Sequence, residues 1–368
     1  MTQAVTLAQA GNSNGTFRNK IINGAMVIDQ RNAGASVTPA SGTYALDRWQ
    51  YGASQASKVT IQQNANSVAP PPGFKNYLGA VVAATATVGA GDYFQFSQKI
   101  EANNTSDLDW GLSTGKTVTL SFWAMCSGAV TLGGSVQSTL SPYTSYPFTI
   151  TFTAPGTWQQ FVITIPAPSA GTNWATGTSA SLYIQWNLAC GSTYSGTANT
   201  WTNNNYFGAT GAASLMGTIG NYLYITGVQL EAGSTASAFE LRSYSKELMM
   251  CQRYYQKTFP QNVAPAQNAG YGGTCLLWNS SGSNNAYGTQ VQWRLPVIMR
   301  SAPTVTYYNP MAANANARNA ALGSDMALSG SPIGSSPQGE SSVQFVSGDT
   351  VSGPGHCCVI HVTANAEL

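Results

Sequence analysis

The chain has 368 residues, of which 15 are Lys or Arg and 13 are Asp or Glu, so charged side chains make up 8% of it, against a usual share of ~25%. A net charge of +2 provides no strong basic field, which argues against nucleic-acid binding through phosphates. At 43% hydrophobic and 11% aromatic, the chain has enough apolar surface to bury a core, so we expect it to fold.

Residues 1–20 are small and polar apart from a weak apolar patch at Val5–Leu7. They lack the basic region and the continuous apolar run of a signal peptide, and no stretch of the chain reaches the ~18 apolar residues of a membrane span. We therefore expect a soluble protein that is made in the cytosol and does not insert into a membrane. Residues 1–20 are interpreted as an arm for docking or oligomerisation, with a frayed terminus as the alternative.

Residues 117–230 carry no charged side chain, and apolar residues alternate there with polar ones. The alternation is clearest at Val118, Leu120, Phe122 and Ala124, and again at Leu182, Ile184, Trp186 and Leu188. A period of two is typical of half-buried strands, and clusters of Gly, Pro, Ser and Asn separate the runs as in sandwiches. The sequence predicts an all-β fold with a jelly-roll β-sandwich over residues 21–240.

A helical stripe follows the predicted sandwich. Its apolar positions are spaced by three or four residues and comprise Leu241, Tyr244, Leu248, Cys251 and Tyr255. Charged side chains return in the same stretch, as a solvated helix face requires. We expect a short linking helix over residues 241–258.

Strand patterns resume after Pro260. The predicted strands are Thr274–Trp278, Thr289–Leu295, Thr304–Tyr308, Ser342–Val346 and Cys357–Thr363. A Gly/Ser/Ala-rich interval lies between them, and Gly270–Gly273 is expected to be a turn because it lacks the lysine of a phosphate-binding loop. Residues 259–368 are therefore predicted to form a second, smaller β-sandwich domain.

Several short strings, taken in order along the chain, carry a resemblance to a known family. They are Arg18–Met26, Asp29–Arg31, Tyr44, Asp47–Trp49, Gln98–Glu101, Thr119–Ala124, Ile225–Gly233, Glu247–Leu248, Cys251–Tyr255 and Met299–Val305. With this order and spacing, the chain resembles bacteriophage and prophage tail-fibre-like structural proteins. The resemblance implies a virion appendage that is assembled in the host cytoplasm, exposed on the particle, bound to other virion proteins and displayed as a homo-oligomer, commonly a trimer.

The middle of the chain is also similar to the jelly-roll carbohydrate-binding modules of glycan-processing enzymes. The strand that opens at Val118, the strand entry at Trp158 and the final strand leading to Val228–Glu231 carry this second resemblance. It implies a concave sheet face on which aromatic rings stack on sugars, and it does not imply a catalyst.

The candidate glycan-binding residues are aromatic rings accompanied by amides, because an apolar platform beside a bidentate donor and acceptor suits sugar recognition. On strand faces opposite the core they are Trp123, Tyr183, Gln185 and Asn187, and in loops they are Trp174, Tyr194, Trp201 and Tyr206. The alternative is that these rings pack between sheets or against a neighbouring subunit.

Catalytic and metal-binding groups are scarce. The two histidines, His356 and His361, flank Cys357 and Cys358, but strand alternation puts these four side chains on two faces, so no metal site is predicted. Asp107 and Asp109 are the candidates for the paired carboxylates of a glycan-cleaving enzyme or for a calcium site, although Asp in such a polar segment commonly makes turns or caps. We predict no catalytic residue and no cofactor.

These observations favour a non-catalytic phage virion appendage of the tail-fibre, receptor-binding type that contacts host cell-surface glycan. One alternative is a purely structural capsid, collar or tail component that binds only other virion proteins. A second alternative is a glycan depolymerase.

Overall fold

The computed structural model describes residues 17–273, 276–279, 290–326, 339–346 and 357–368. The described chain is nearly all β, and it divides into two compact units. The first combines the described residues up to 27 with 34–243 and Leu368, and the second combines 28–33 with 244–367. No helix of the described ranges is long and apolar enough to cross a membrane.

The first unit contains two antiparallel sheets. The larger sheet comprises β1 (Tyr44–Leu46), β2 (Trp49–Ala53), β5 (Tyr93–Glu101), β7 (Thr131–Ser138), β8 (Ser145–Thr151) and β10 (Ala180–Cys190). The smaller sheet comprises β3 (Val59–Gln63), β4 (Leu78–Val82), β6 (Val118–Cys126), β9 (Gln159–Ile165) and β13 (Tyr222–Ala232). Their spatial orders are β1-β2-β5-β10-β7-β8 and β3-β4-β13-β6-β9.

Short elements complete the first unit. Strands β11 (Ser195–Gly196) and β12 (Gly208–Ala209) form a parallel pair. Single 3-10 turns occupy Ala65–Ser67, Ala102–Asn104, Ser106–Leu108 and Ser192–Tyr194.

The alternation in the sequence sets the sandwich core. The apolar residues of the two clearest runs, in β6 and β10, are at most 1% exposed and belong to one hydrophobic cluster between the sheets. A sheet buried on one face requires this period of two, because successive side chains point to opposite faces. The predicted jelly-roll β-sandwich is confirmed.

The N-terminal string Arg18–Met26 makes buried hydrogen bonds to strands of both sheets. The buried Asn19 side chain donates to the Val228 carbonyl at 3.0 Å and accepts from the Leu230 N–H at 3.1 Å. The Gln98 side-chain amide bonds both backbone groups of Ile22, at 2.9 and 2.8 Å. Strings far apart in sequence thus meet in one buried hydrogen-bonded layer, where each backbone group needs a partner.

The string Asp47–Trp49 belongs to the same layer. The Trp49 indole donates to the Asn23 carbonyl at 3.0 Å, and the Asn23 amide donates to the Asp47 carbonyl at 3.0 Å. Asn19 and Lys20 are likewise buried within the sandwich unit, so the boundary of the predicted arm at residue 20 is corrected. Residues 1–16 of that arm lie outside the described residues.

The only α-helix of the described chain is shorter than the predicted 241–258. It spans α1 (Tyr244–Gln252), and Leu241, placed in the predicted stripe, is 74% exposed. Tyr255–Lys257 instead forms β14, whose backbone pairs with residues 363–365. A non-local strand partner therefore overrides the helical periodicity after residue 252.

The second unit is organised around one strand. Its strands are β14, β15 (Leu276–Asn279), β16 (Gln290–Arg294), β17 (Thr304–Tyr308), β18 (Ala317–Asn319), β19 (Ser324–Met326), β20 (Ser342–Val346) and β21 (Cys357–Asn365). Strand β21 pairs with β14, β15, β17 and β18, while β16 pairs with β20. Trp293 and Val343 from the β16–β20 pair share a core with Ile360, Val362 and Ala364 of β21.

Residues 28–33 complete the second unit, although they precede the sandwich strands in sequence. The Gln30 amide donates to the Tyr255 carbonyl at 3.1 Å, and the buried Lys257 ammonium donates to the Gln30 carbonyl at 2.7 Å. Arg31 lies 3.0 Å from the Glu367 carboxylate, with its guanidinium 3.9 Å from the Tyr255 ring centroid. The predicted domain 21–240 is therefore interrupted at residues 28–33.

Candidate functional site

Three tryptophans meet where β5 ends and β10 begins. The ring centroid of Trp110 lies 4.9 Å from that of Trp174 and 5.5 Å from that of Trp201, and the latter two are 6.1 Å apart. All three contacts are edge-to-face, the arrangement that the aromatic quadrupole favours. Trp110 is 9% exposed and belongs to the sandwich core, whereas Trp174 and Trp201 are half-buried.

Three separate connections supply these rings, and each indole N–H is held by the protein. Trp110 donates to the Lys116 carbonyl at 2.8 Å, Trp174 to the Thr172 hydroxyl at 3.0 Å and Trp201 to the Pro166 carbonyl at 2.8 Å. Because the three donors already have partners, Trp174 and Trp201 offer a ligand their apolar ring surfaces, in fixed orientations.

Gly111 allows the first two connections to approach each other. Its φ is +89°, and a Cβ there would lie 2.6 Å from the Thr172 carbonyl oxygen and 3.0 Å from Cδ1 of Trp174. The Gly171 N–H donates to the Gly111 carbonyl at 2.9 Å. A side chain at residue 111 would therefore both strain the backbone and push the Trp174 loop away.

Two clefts flank the tryptophans. The larger, of about 520 Å³, is lined by Ala102, Asn103, Thr105, Ser106, Leu108, Asp109, Trp110, Gly111, Leu112, Thr172, Asn173, Trp174, Ala175, Thr176, Gly177, Ser181 and Leu182. The smaller, of about 260 Å³, is lined by Pro142, Thr144, Ser169, Ala170, Gly171, Thr172, Asn173, Trp201, Thr202 and Asn203. Thr172 and Asn173 border both clefts.

The clefts combine aromatic surface with exposed amides. Asn103, Asn173 and Asn203 are exposed, and each amide carries both donors and an acceptor. Rings beside amides can hold a sugar, whose hydroxyls need hydrogen bonds and whose C–H faces need apolar contact. The structure thus brings together two of the sequence candidates, Trp174 and Trp201.

Sequence reasoning assigned no binding role to Trp110, Asn103 or Asn173. Trp110 and Asn103 flank the Asp107–Asp109 segment, whose carboxylates are its most evident sequence feature. The usable signal is Gly111, since glycine is the usual residue where the backbone takes a positive φ or approaches another segment closely.

The candidates of β10 form an internal polar layer rather than an exposed platform. Gln185 is 0% exposed and Asn187 is 2% exposed. The Gln185 amide donates to the Ser135 hydroxyl at 3.2 Å and to Oε1 of Gln137 at 3.0 Å. Asn187 lies against Gly208, where a Cβ would be 2.6 Å from the side-chain amide of Asn187.

The segment 202–208 packs over this layer, so Gln185 and Asn187 are not accessible to a ligand as the sequence analysis expected. Thr202 pairs with Ser145 of β8 at 2.9 and 3.0 Å, and the Ser145 hydroxyl donates to the Asn204 carbonyl at 2.8 Å. The half-buried Tyr183 lies on the same face with its hydroxyl 3.3 Å from Ser97. Burial raises the pKa of Tyr183, as expected for a phenol removed from water.

Trp123 and Tyr183 lie on opposite sides of the sandwich. Trp123 is a half-buried residue of β6 in the smaller sheet, opposite Thr226 of β13, whereas Tyr183 belongs to the larger sheet. These two candidate rings therefore cannot form one stacking platform.

Tyr194 and Tyr206 lie at the far end of β5 and β10 from the tryptophans. Tyr194 stacks on Phe207 at 4.5 Å, and both rings contact Tyr93. Tyr206 covers Gly196, where a Cβ would come within 2.2 Å of the ring. This second aromatic cluster packs on itself and does not join the clefts.

The acidic candidates do not form a pair in the cleft. The Lys20 ammonium lies 2.8 Å from both carboxylate oxygens of Asp107. Asp109 ends the 3-10 turn Ser106–Leu108 in a left-handed conformation and lines the larger cleft. Within the described ranges, no group of three or more His, Cys, Asp or Glu side chains is placed to hold a metal ion.

His361 is a core residue of the second unit. It is 1% exposed, stacks on Phe259 at 4.1 Å, and has its ring nitrogens 3.0 Å from the Thr258 hydroxyl and 3.2 Å from the Gly270 carbonyl. Burial lowers the pKa of this imidazole. Its neighbour in the proposed cluster, His356, lies outside the described residues.

Comparisons with known proteins show little beyond the general fold. No family model and no curated protein matches the chain. Among solved structures, it is similar to the enzymatically active domain of tailspike protein 4 of bacteriophage CBA120, with 14% identity and a TM-score of 0.32 over 58% of this chain and 21% of that one. The chain thus spans about a fifth of the tailspike domain.

Two carbohydrate-binding modules show comparable likeness. The module TmCBM61, solved with β-1,4-galactotriose, has 12% identity and a TM-score of 0.32 over 59% of this chain and 99% of that one. The family 11 module of a Clostridium thermocellum cellulosomal cellulase has 10% identity and a TM-score of 0.29 over 56% and 99%. At these values the likenesses carry no argument about function.

Proposed function

We propose that this protein is a non-catalytic glycan-binding component of a phage virion, of the tail-fibre type, that contacts polysaccharide on the host surface. The observation that carries the proposal is the pair of clefts built around Trp174 and Trp201, bordered by exposed asparagine amides. Half-buried rings with fixed indole donors supply preorganised apolar surface, which lowers the entropic cost of binding.

The virion assignment is supported by the ordered strings of the sequence, from Arg18 to Val305. The low charge is consistent with it, because a polar, uncharged surface does not depend on ion pairs that salt screens. We propose display as a homo-oligomer, a trimer in keeping with the resemblance. Mass spectrometry of intact particles and light scattering of the purified protein test these two points.

A binding role is favoured over catalysis by the composition of the larger cleft. Most glycosidases place two carboxyl groups on either side of the scissile bond. Asp109 is the one carboxylate among the described residues that line this cleft. We expect no release of reducing ends from bound polysaccharide, and cleavage that disappears in D109N would overturn the non-catalytic assignment.

The test of binding is a comparison of two tryptophan variants on a panel of purified bacterial surface polysaccharides. W174A removes a ring from the cleft, whereas W123A removes a similarly half-buried ring from the smaller sheet. Loss of one stacked ring should weaken binding roughly tenfold or more in W174A, since 1.4 kcal/mol is a factor of ten. W123A should bind as the unmodified protein does.

Folding and binding are separated by urea unfolding of each variant, and by N103A, which removes an exposed side chain at the cleft rim whose amide donates to the Glu101 carboxylate at 3.3 Å. Weaker binding in W123A with unchanged binding in W174A would move the site to the smaller sheet and overturn the cleft. Failure of the assembled protein to bind any surface polysaccharide would favour the purely structural alternative.

A further inference from the structure

The two clefts meet, and this continuity bears on the size of the ligand. Thr172 and Asn173 line both of them, while Trp174 lines the larger cleft and Trp201 the smaller. The centroids of these two rings are 6.1 Å apart. A ligand that lies across the ridge at Thr172 and Asn173 can therefore contact the linings of both clefts at once.

The charge of the lining residues bears on the chemistry of the ligand. Asp109 is the one ionisable side chain that lines the larger cleft, and the smaller cleft is lined by none, among the residues the structure describes. An anionic sugar bound here would lose water without gaining a cationic partner, a costly transfer. It would also approach the Asp109 carboxylate, and like charges near a protein surface repel.

Hydroxyls and amides dominate the remaining lining. Exposed Asn103 and Ser106 border the larger cleft, exposed Asn203 borders the smaller, and exposed Asn173 lies between them. These groups can donate to and accept from sugar hydroxyls without a net charge. Neutral hydrogen bonds of this kind contribute modestly one by one, so affinity must be accumulated over several sugar units.

Resting on the function proposed above, we propose that the two clefts together bind one uncharged glycan chain, long enough to cross the ridge between Trp174 and Trp201, and that they reject polyanionic glycans. Trp174 and Asn103 contact one part of the chain, and Trp201 and Asn203 contact the next. The Asp109 carboxylate acts as a specificity-determining group that disfavours uronates.

The experiment measures affinity for oligosaccharide ladders from monosaccharide to octasaccharide. Neutral ladders of glucan, galactan, mannan and N-acetylglucosamine are compared with acidic ladders of galacturonate and mannuronate. We expect affinity for a neutral ladder to rise with length until both clefts are occupied and then to level off. Acidic ladders should bind at least tenfold more weakly than a neutral ladder of the same length.

Three variants locate the effect. N203A should weaken binding of long neutral ligands about two- to tenfold, the range of one neutral hydrogen bond, and leave the shortest binding ligand unaffected. D109N should raise the affinity for acidic ladders and leave neutral ones within about twofold. Q160A, which changes an exposed amide of β9 in the smaller sheet, is the control and should change neither.

Each outcome distinguishes this inference from the proposed function. If N203A weakened the binding of short and long ligands equally, or if affinity did not rise with ligand length, the proposal that one glycan chain occupies both clefts would be wrong. Binding that depends on Trp174 would be unaffected by that result. Acidic ladders that bind as tightly as neutral ones would overturn the charge selection. Absence of Trp174-dependent binding to every ladder would overturn the proposed function itself.

Discussion

The glycine at residue 111 allows a direct test of how the larger cleft is built. Both Gly111 and Gly171 have left-handed backbones, with φ of +89° and +84°, and they are joined by one hydrogen bond. A Cβ at residue 171 would meet nothing within 4 Å, whereas a Cβ at residue 111 would lie 2.6 Å from the Thr172 carbonyl oxygen. G171A therefore reports the backbone strain alone, and G111A adds a steric clash.

The magnitudes follow from these two contributions. A non-glycine residue in the left-handed region costs about 1–2 kcal/mol, so G171A should lower the free energy of unfolding by that amount. Overpacking against backbone costs typically 1–3 kcal/mol more. G111A should therefore lose about 2–5 kcal/mol, and relief of the clash should displace Thr172 and Trp174.

Urea unfolding measures the two stability losses, and near-ultraviolet circular dichroism reports the environment of the tryptophan cluster. G111A should alter the aromatic signal and weaken glycan binding, while G171A should alter stability with a largely retained aromatic signal. If G111A and G171A lost equal stability and G111A kept the native aromatic signal, the close approach of these connections would not position Trp174.

Three further predictions concern the core of each unit. Because the pKa of His361 is lowered in the folded protein, the unfolded chain binds a proton more readily below about pH 6.5. The stability advantage of wild type over H361Q should therefore shrink as the pH falls from about 7.5 to about 5. A difference in the free energy of urea unfolding that stays constant over this range would contradict the prediction. R31A and E367Q should each lower the free energy of unfolding by about 3–5 kcal/mol, because the side chains of this ion pair are only 12% and 5% exposed. If the double variant lost as much as the two single variants together, the two residues would act independently and the prediction would fail. N19A should cost about 1–3 kcal/mol by leaving the buried backbone groups of Val228 and Leu230 without their partner. The exposed-site variant Q160A should stay within about 0.5 kcal/mol, and equal losses would contradict the role of Asn19.

The strands of the sandwich were predictable because their signal is local. In β6 and β10, alternate residues face the core, and this period appears in the sequence of each strand separately. The end of α1 was not predictable in this way, because Tyr255–Lys257 pairs with a strand more than a hundred residues later. The placement of Ile28–Ala33 in the second unit depends on contacts with residues 255–257 and 367 and has no local signature.

The site residues show the same difference between local sequence signals and non-local contacts. Trp174 and Trp201 were chosen from their loop composition, and the fold brings them together through connections that sequence spacing does not relate. Gln185 and Asn187 were chosen because alternation places them on the outer face of β10, and that placement is observed. Their burial arises from the distant return of residues 202–208 across the sheet, so the face could be inferred from the strand but its accessibility could not.

The sequence strings between Arg18 and Val305 and the residues that line the clefts occupy different parts of the chain. Asn19, Gln98 and Trp49 join their segments by buried hydrogen bonds, and none of the three lines a cleft. The clefts, by contrast, are lined from the connections 102–112, 169–177 and 201–203, which lie outside those strings. Buried strings preserve the sandwich, and exposed residues of these connections such as Asn103, Asn173 and Asn203 can change with little loss of stability. Chains that share the strings but differ in these three connections should therefore keep the fold and bind different glycans.

Exchange of residues 172–177 between two such chains should transfer the glycan preference and leave the urea midpoint within the range of exposed-site variants. An exchange that lowers stability and leaves the preference unchanged would place specificity elsewhere on the sandwich.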